Sequence, residues 1–139
     1  NTVTVSENPG GSSRSCTFTA SHGGVSATAT ITQEGSPVTY YFSYSDGSTS
    51  RSEYADDSSA GSFTLSITSY KKTGNSTSNL SWSASGDSWI YVNGTSVSYD
   101  ENPVKERRTG NVTLKQEESG KTLTLKIVQP GKTSVDIDP

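Results

Sequence analysis

An internal repeat constrains this chain more than any other feature of its sequence. A set of residues near the N-terminus recurs in the same order later on: Asn8-Pro9, Arg14, Gln33 and Gly35 match Asn102-Pro103, Arg108, Gln129 and Gly131. The offset is 94 residues at first (8 to 102) and 96 later (33 to 129), about the length of one immunoglobulin-like domain. The sequence therefore predicts two consecutive modules of the same kind.

The repeat also predicts where the modules begin and end. If one module ends at Gly131, its copy begins just after Gly35. We expect residues 1–35 to be the C-terminal part of a first, incomplete module, 36–131 a full module, and 132–139 a tail or linker. A segment of 35 residues is too short to close a core by itself. It is expected to pair with the full module, to pair with another chain, or to remain loosely ordered.

Composition and alternation indicate the fold class. Ser and Thr supply about a third of the chain, whereas hydrophobic residues make up 28% and charged residues 18%. The apolar residues are mostly β-branched or aromatic and alternate with Ser or Thr, as in strands with one buried face. With turn signals every 8 to 14 residues, this pattern predicts an all-β, immunoglobulin-like sandwich of two sheets, with seven or eight strands in the full module and no helix.

The strands of the full module are predicted from this alternation. In chain order we expect a strand over 38–44, a polar loop over 45–60, one strand through Phe63, Leu65 and Ile67, and one through Leu80, Trp82 and Ala84 with Trp82 toward the core. A short strand over 89–92 ends at Asn93-Gly94, Val97 and Tyr99 share a face, and 112–114 with 123–127 form a closing hairpin.

Charge and residue counts argue against several functions. A net charge of −3 and a pI near 5.0 disfavour nucleic-acid binding, and no apolar run is long enough to span a membrane. Any export signal or lipid anchor is expected upstream of residue 1. Cys16 is the single cysteine and His22 the single histidine, so the chain has neither an intrachain disulfide nor the ligands for a closed zinc site. A Ser-His-Asp triad would depend on His22, which lies in a predicted hairpin turn.

Acidic residues cluster in the predicted loop over 45–60. Asp46, Glu53, Asp56 and Asp57 supply carboxylates of the kind used in glycoside hydrolysis, but their Ser- and Gly-rich context favours solvated turns. A calcium site at Asp46 or at Asp56-Asp57 is chemically reasonable, although no twelve-residue ligand pattern supports it. The sequence therefore predicts no catalytic residue and no cofactor.

The order Trp89-x-x-Val92, Asn102, Arg108 and Gln129-x-Gly131 resembles the BACON family. The likeness covers about residues 37–131, and Asn8, Arg14, Gln33 and Gly35 extend it into the first segment. The resemblance implies an immunoglobulin-like module of Bacteroidetes surface and secreted proteins, often beside glycoside hydrolases or proteases, and of some gut phage proteins. It implies binding of carbohydrate or mucin, with a spacer role as the competing interpretation. Our interpretation of Asn8, Arg14, Trp82, Trp89, Asn102, Arg108 and Gln129 is structural.

Three tyrosines are the candidate ligand contacts. The alternation places Tyr41, Tyr70 and Tyr91 on outward faces, where an aromatic ring can stack on the C–H face of a sugar. The alternative is that they are ordinary surface residues of strands.

Three hypotheses for function follow. The first is a non-catalytic spacer or structural part of a larger surface, secreted or virion protein. The second is a module that binds glycans or mucin through exposed aromatic residues. The third is an assembly part whose incomplete first module receives a strand from another chain or forms a homo-oligomer. An enzyme is disfavoured.

Overall fold

The computed structural model describes residues 2–133, which form twelve β-strands and no α-helix, so the all-β prediction is confirmed. No helix in this part of the chain is suited to crossing a membrane. The strands are β1 (Arg14–His22), β2 (Val25–Gln33), β3 (Val38–Tyr44), β4 (Ser50–Tyr54), β5 (Gly61–Thr64), β6 (Ile67–Thr73), β7 (Ser76–Asn79), β8 (Trp82–Gly86), β9 (Ile90–Asn93), β10 (Ser96–Tyr99), β11 (Arg108–Gln116) and β12 (Thr122–Gln129).

The strands form four sheets, with the orders β4-β12-β11-β8, β5-β10-β9, β3-β6-β7 and β1-β2. By compactness the described chain divides into a smaller unit, residues 2–40 and 71–78, and a larger unit, residues 41–70 and 79–133. The boundary expected at residue 36 stays a prediction. Most of the expected tail, residues 134–139, lies outside the described residues.

The hydrophobic core of the larger unit is centred on the β11–β12 hairpin. Val112 pairs with Leu125 and Leu114 with Leu123, and all four side chains are fully buried. The core cluster also contains Phe42, Tyr44, Leu65, Ile90, Val97 and Ile127, which come from β3, β9, β10, β12 and the β5–β6 connection. Burial of a side chain of this size stabilises a fold by about 1.5–3 kcal/mol. The larger unit is thus a β-sandwich, whose faces bury the alternating residues of the sequence.

The prediction of an uninterrupted loop over 45–60 is wrong. Residues 50–54 form β4, which pairs in parallel with β12 so that Arg51 lies opposite Leu125 and Glu53 opposite Ile127. β4 is an edge strand held by backbone hydrogen bonds, and its side chains are mostly exposed. Polar side chains are tolerated at such an edge and discourage pairing with other chains, so the segment has no apolar alternation to reveal it.

The single strand expected through Phe63 and Ile67 is instead two strands in different sheets. β5 ends at Thr64 and pairs with β10, whereas β6 begins at Ile67 and lies in the sheet with β3. Between them Leu65 N donates to Thr95 O (2.7 Å). With β4 and the polar strand β7, ten described strands lie between residues 36 and 131, more than the seven or eight predicted.

Asn102 fastens the loop before β11. Its side chain is fully buried, and Nδ2 donates to Glu106 O (2.8 Å) and Pro130 O (3.0 Å). Its Oδ1 accepts from Val104 N (3.3 Å). A carboxamide buried with these partners fixes the loop, because unpaired buried carbonyls are costly.

Arg108 and Gln129 complete this arrangement, and we call Asn102, Arg108 and Gln129 the C-terminal latch. Arg108 Nε donates to Gln129 Oε1 (2.8 Å), and its Nη2 donates to the carbonyls of residues 100 (2.9 Å) and 101 (3.0 Å). Gln129 Nε2 donates to the carbonyl of residue 100 (2.9 Å) and to those of residues 58 and 59 (3.1 Å each). The latch therefore ties the end of β12 to two loops.

Asn8, Arg14 and Gln33 form the same arrangement in the smaller unit, and we call them the N-terminal latch. Asn8 Nδ2 donates to Ser12 O (2.8 Å) and Glu34 O (3.2 Å), and Arg14 Nε donates to Gln33 Oε1 (2.9 Å). The remaining bonds, from Arg14 and Gln33 to main-chain carbonyls, end at Ser6 and Glu7. The sequence repeat is thus a repeat of individual hydrogen bonds.

The hairpins beside the two latches share their pairing register but differ in the strands that flank them. Arg14 lies opposite Gln33 as Arg108 lies opposite Gln129, and Phe18 opposite Ala29 as Val112 lies opposite Leu125. In the larger unit β8 and β4 flank the hairpin. In the described part of the chain β1 and β2 pair only with each other, and every residue of β1 is exposed.

We expect Asn102→Ala to lower the free energy of unfolding of the larger unit by about 2–4 kcal/mol, because buried carbonyls lose their donors. Both tryptophans, Trp82 and Trp89, belong to this unit, so tryptophan fluorescence during urea unfolding measures its stability. Asn8→Ala removes the matching bonds from the smaller unit and is the control, with an expected change below about 0.5 kcal/mol in that signal. Equal losses in the two variants would contradict the prediction.

Candidate binding surface

Tyr41 and Tyr70 form a stacked pair on the larger unit. Their ring centroids are 4.6 Å apart and the ring planes differ by 14°. Tyr41 is outward in β3 because Phe42 and Tyr44 turn into the core, and it is 39% exposed; Tyr70 in β6 is half-buried. We call this pair the tyrosine ledge. Alternation predicts that each ring points outward but cannot predict that the two rings meet.

Gln116 supports the tyrosine ledge from inside the protein. Its side chain is fully buried, and Nε2 donates to Tyr41 O (3.0 Å) and to Ser69 Oγ (3.1 Å). Ser69 Oγ in turn donates to Leu80 O (2.7 Å). One side chain thus fixes the backbone at Tyr41 and the residue next to Tyr70. Sequence reasoning missed Gln116; the signal was a polar residue at an inward position of β11, after Val112 and Leu114.

Tyr91 makes a different kind of contact. It lies in β9, in a different sheet from β3 and β6, and its ring is 51% exposed. Its hydroxyl donates to Asp100 Oδ2 (2.8 Å), and this hydrogen bond, with the charge of the carboxylate, raises the pKa of the Tyr91 hydroxyl. The structure therefore brings together two of the three candidate tyrosines.

Tyr54 is a further exposed aromatic residue that sequence reasoning did not single out. It ends β4 and is 69% exposed. Because its segment was expected to be a loop, alternation could not assign the ring to a face. Tyr54 is therefore a suitable control for substitutions of Tyr41 and Tyr70, because it is an exposed tyrosine outside the stacked pair.

The contacts of the two tryptophans are structural. Arg108 Cζ lies 4.0 Å from the centroid of the Trp89 ring, and the same ring covers Gly110, where a Cβ would collide with it. Trp82 is half-buried and packs against the core cluster. Cation–π stacking of this kind contributes about 0.5–2 kcal/mol and holds the guanidinium toward its carbonyl partners.

Three of the four acidic residues of 45–60 have partners close to them in sequence. Asp46 Oδ1 accepts from Ser48 N (2.9 Å) and Asp57 Oδ1 from Ser59 N (2.8 Å), while Glu53 pairs with Arg51. The hydrogen bonds from Ser48 lower the pKa of Asp46. Within residues 2–133 no three His, Cys, Asp or Glu side chains are grouped closely enough to hold a metal ion.

Comparison with known proteins agrees with this architecture. The family model of BACON, described as "Putative binding domain, N-terminal", matches residues 65–129. A solved structure, the "NMR structure of the protein from Bacteroides vulgatus ATCC 8482", is 82% identical in sequence with a TM-score of 0.61, over 73% of this chain and 97% of that chain. No curated protein matches the chain. The chain belongs to the BACON family.

Proposed function

We propose that this chain is a non-catalytic binding module of an extracellular, cell-surface, secreted or virion protein, and that the tyrosine ledge is its contact for glycans or mucin. The stacking of Tyr41 on Tyr70 carries the proposal, because it packs the two rings face to face and so holds the partly exposed Tyr41 ring in a fixed position at the surface. The family description as a binding domain supports the general class.

The chemistry of sugars suits this surface. Pyranose rings present C–H faces that pack on aromatic rings, and an aromatic contact is worth about 0.5–1.5 kcal/mol beyond its area. Because Gln116 bonds to the backbone carbonyl of Tyr41 and to the side-chain hydroxyl of Ser69, little side-chain or loop ordering is needed on binding. A rigid pair of this kind favours weak, repeated contacts with neutral glycans over tight binding of one small molecule.

The contacts of the polar residues favour binding over catalysis. Asp46 and Asp57 accept from backbone amides of their own turns, and Glu53 is paired with Arg51. Acid–base catalysis needs a carboxyl group aimed at the substrate with a pKa near the working pH. The hydrogen bonds of Asp46 instead lower its pKa and favour the ionised form.

A spacer in a serial array is the second candidate function, and the repeated latch favours it. The same hydrogen bonds occur at Asn8 and Asn102, 94 residues apart. Modules repeated at a fixed interval suit a protein that holds a binding or catalytic partner away from a surface. In this role, removal of Tyr41 and Tyr70 would leave function intact.

The tyrosine ledge predicts a selective loss of glycan binding. We expect Tyr41→Ala and Tyr70→Ala each to weaken binding by about tenfold, which corresponds to about 1.4 kcal/mol, in titration calorimetry against glycans selected on an array. Tyr54→Ala is the matched control and should bind as the parent does. Equal binding by all three variants, or no binding to any glycan or mucin by the parent, would contradict the proposal and favour the spacer.

The hydrogen bonds from Gln116 to Tyr41 and Ser69 give a second, independent prediction. Gln116→Leu keeps the side-chain size but removes the donor to Tyr41 O and Ser69 Oγ, so the rings lose their fixed spacing. We expect glycan affinity to fall by about threefold to tenfold while Tyr41→Phe, which keeps the ring, changes it less than twofold. Circular dichroism of each variant checks the fold. Full affinity in a folded Gln116→Leu variant would show that the buried bonds do not support binding.

A further inference from the structure

We propose that the free edge of β8 binds the same edge of a second copy of this chain, so that the two four-stranded sheets join edge to edge. We call residues 81–85 the β8 edge. It combines outward-facing main-chain groups with an uncharged sequence that is complementary to itself. The β8 edge belongs to the larger unit, shares no residue with the tyrosine ledge and does not depend on glycan binding.

The main chain of β8 has hydrogen-bonding groups on its free side. β8 pairs with β11, and within residues 2–133 no strand pairs with its other side. In an antiparallel ladder, residues that exchange both main-chain bonds alternate with residues that exchange none. Glu117 N donates to Ser81 O (3.2 Å), so by alternation Ser83 also bonds to β11. The N–H and C=O groups of Trp82 and Ala84 therefore point away from β11, toward the free side.

An open cleft lies along the β8 edge and has a volume of about 470 Å³. One wall comes from β8 and includes Trp82 and Ala84, and the other includes Val92 of β9 and Thr95 of the turn that follows. Trp82 and Ala84 are half-buried and pack against the core cluster. The cleft leaves room for a further strand beside β8, and burial of its apolar wall favours binding of that strand.

The β8 edge lacks the features that normally keep sheet edges apart. Residues 80–86 include no charged side chain and no proline. The opposite edge of the same sheet is β4, which has the Arg51–Glu53 ion pair. Charged side chains discourage pairing with another chain, because pairing would desolvate them. Of the two edges of this sheet, β4 is protected by charge and β8 is not.

The sequence of the β8 edge is complementary to itself in antiparallel pairing. If Ser83 lies opposite Ser83 of the second copy, Trp82 lies opposite Ala84 on one face, and Ser81 lies opposite Ser85 on the other. The large indole then meets a small methyl group, and hydroxyl groups meet hydroxyl groups. In this register the outward main-chain groups of Trp82 and Ala84 face each other, as antiparallel hydrogen bonding requires. A two-fold axis through Ser83 therefore satisfies both strands equally.

The contacts of Leu80 limit the length of this pairing. Leu80 N donates to Ser69 O (3.1 Å), and Leu80 O accepts from Ser69 Oγ (2.7 Å), so β6 already holds both main-chain groups. The new hydrogen bonds are thus confined to Trp82 and Ala84 of each copy. An interface this short predicts a weak dimer, which forms at high protein concentration or between copies held close together.

Ser83→Cys in a Cys16→Ser background tests the pairing. Opposite residues of a non-hydrogen-bonded pair have Cα atoms about 4.5 Å apart, a separation that a disulfide spans. Cys16 is the single cysteine and is exposed, so its replacement leaves one introduced thiol. Ser52→Cys in the same background is the matched control, on the exposed side of β4. We expect disulfide-linked dimer to form at least about tenfold faster from Ser83→Cys, because pairing raises the effective concentration of its thiols.

The parent chain gives a second, reversible measurement. We expect its mass by light scattering to rise from that of one chain, 14.7 kDa, toward twice that value between about 10 μM and about 1 mM protein. Over the same range, hydrogen exchange of the Trp82 and Ala84 amides should slow, because their N–H groups gain acceptors. Exchange of the Ser83 amide, which already bonds to β11, should change less.

Ser83→Lys places two like charges at the two-fold axis and should keep the mass of one chain at every concentration. Ser52→Lys adds the same charge at the opposite edge and should form the dimer as the parent does. Circular dichroism and tryptophan fluorescence check that each variant is folded.

Three outcomes would overturn the proposal. One is a parent chain that keeps the mass of a single chain with no added protection of the Trp82 and Ala84 amides. Another is equal cross-linking of Ser83→Cys and Ser52→Cys. The third is a dimer that persists in folded Ser83→Lys, which would assign the contact to another surface. Loss of glycan binding in Tyr41→Ala changes none of these results, so the test is separate from that of the tyrosine ledge.

Discussion

The hydrogen bonds that join Arg108 to Gln129 and to the carbonyls of residues 100 and 101 are the constraint on which the larger unit depends. They fix the loop between β10 and β11, and so they set how the sheet containing β10 meets the β11–β12 hairpin. Arg108 also lies against Trp89, which covers Gly110. Among the described residues no buried side-chain nitrogen or oxygen is without a partner, so this buried polar network is satisfied rather than strained.

Comparison of the two latches shows that their shared hydrogen bonds form from nearby residues, whereas the hydrophobic core needs strands that are distant in sequence. Asn8, Arg14 and Gln33 make their bonds within residues 6–34, and those bonds form although β1 is exposed throughout. The matching core needs strands that are distant in sequence, since β12 pairs with β4 across about 70 residues. The bonds that the two latches share are therefore each encoded in one short segment, whereas a closed sandwich requires the whole module.

Sequence reasoning succeeds where the pattern itself carries the physical cause. Alternation in β11 and β12 predicts the central hairpin because one face must be buried, and the repeat predicts that Asn8 and Asn102 have equivalent settings. It fails at β4 and β7, whose strand structure comes from backbone pairing and leaves no apolar pattern. It also fails at Gln116, because the partners of a buried amide lie 75 residues away at Tyr41 and are set by tertiary structure.

The distribution of polar contacts explains why the tyrosine ledge is the better candidate for ligand contact than the family's Asn and Arg positions. Asn102 and Arg108 donate their side-chain hydrogen bonds to main-chain carbonyls, and one face of the Arg108 guanidinium lies against Trp89. A ligand would have to break bonds that hold the module together in order to use them. Tyr41 offers ring surface outside these networks, and the bond from Gln116 to its carbonyl fixes the backbone while leaving the ring exposed. Variation of the aromatic residues on this face can therefore change binding without unfolding the sandwich.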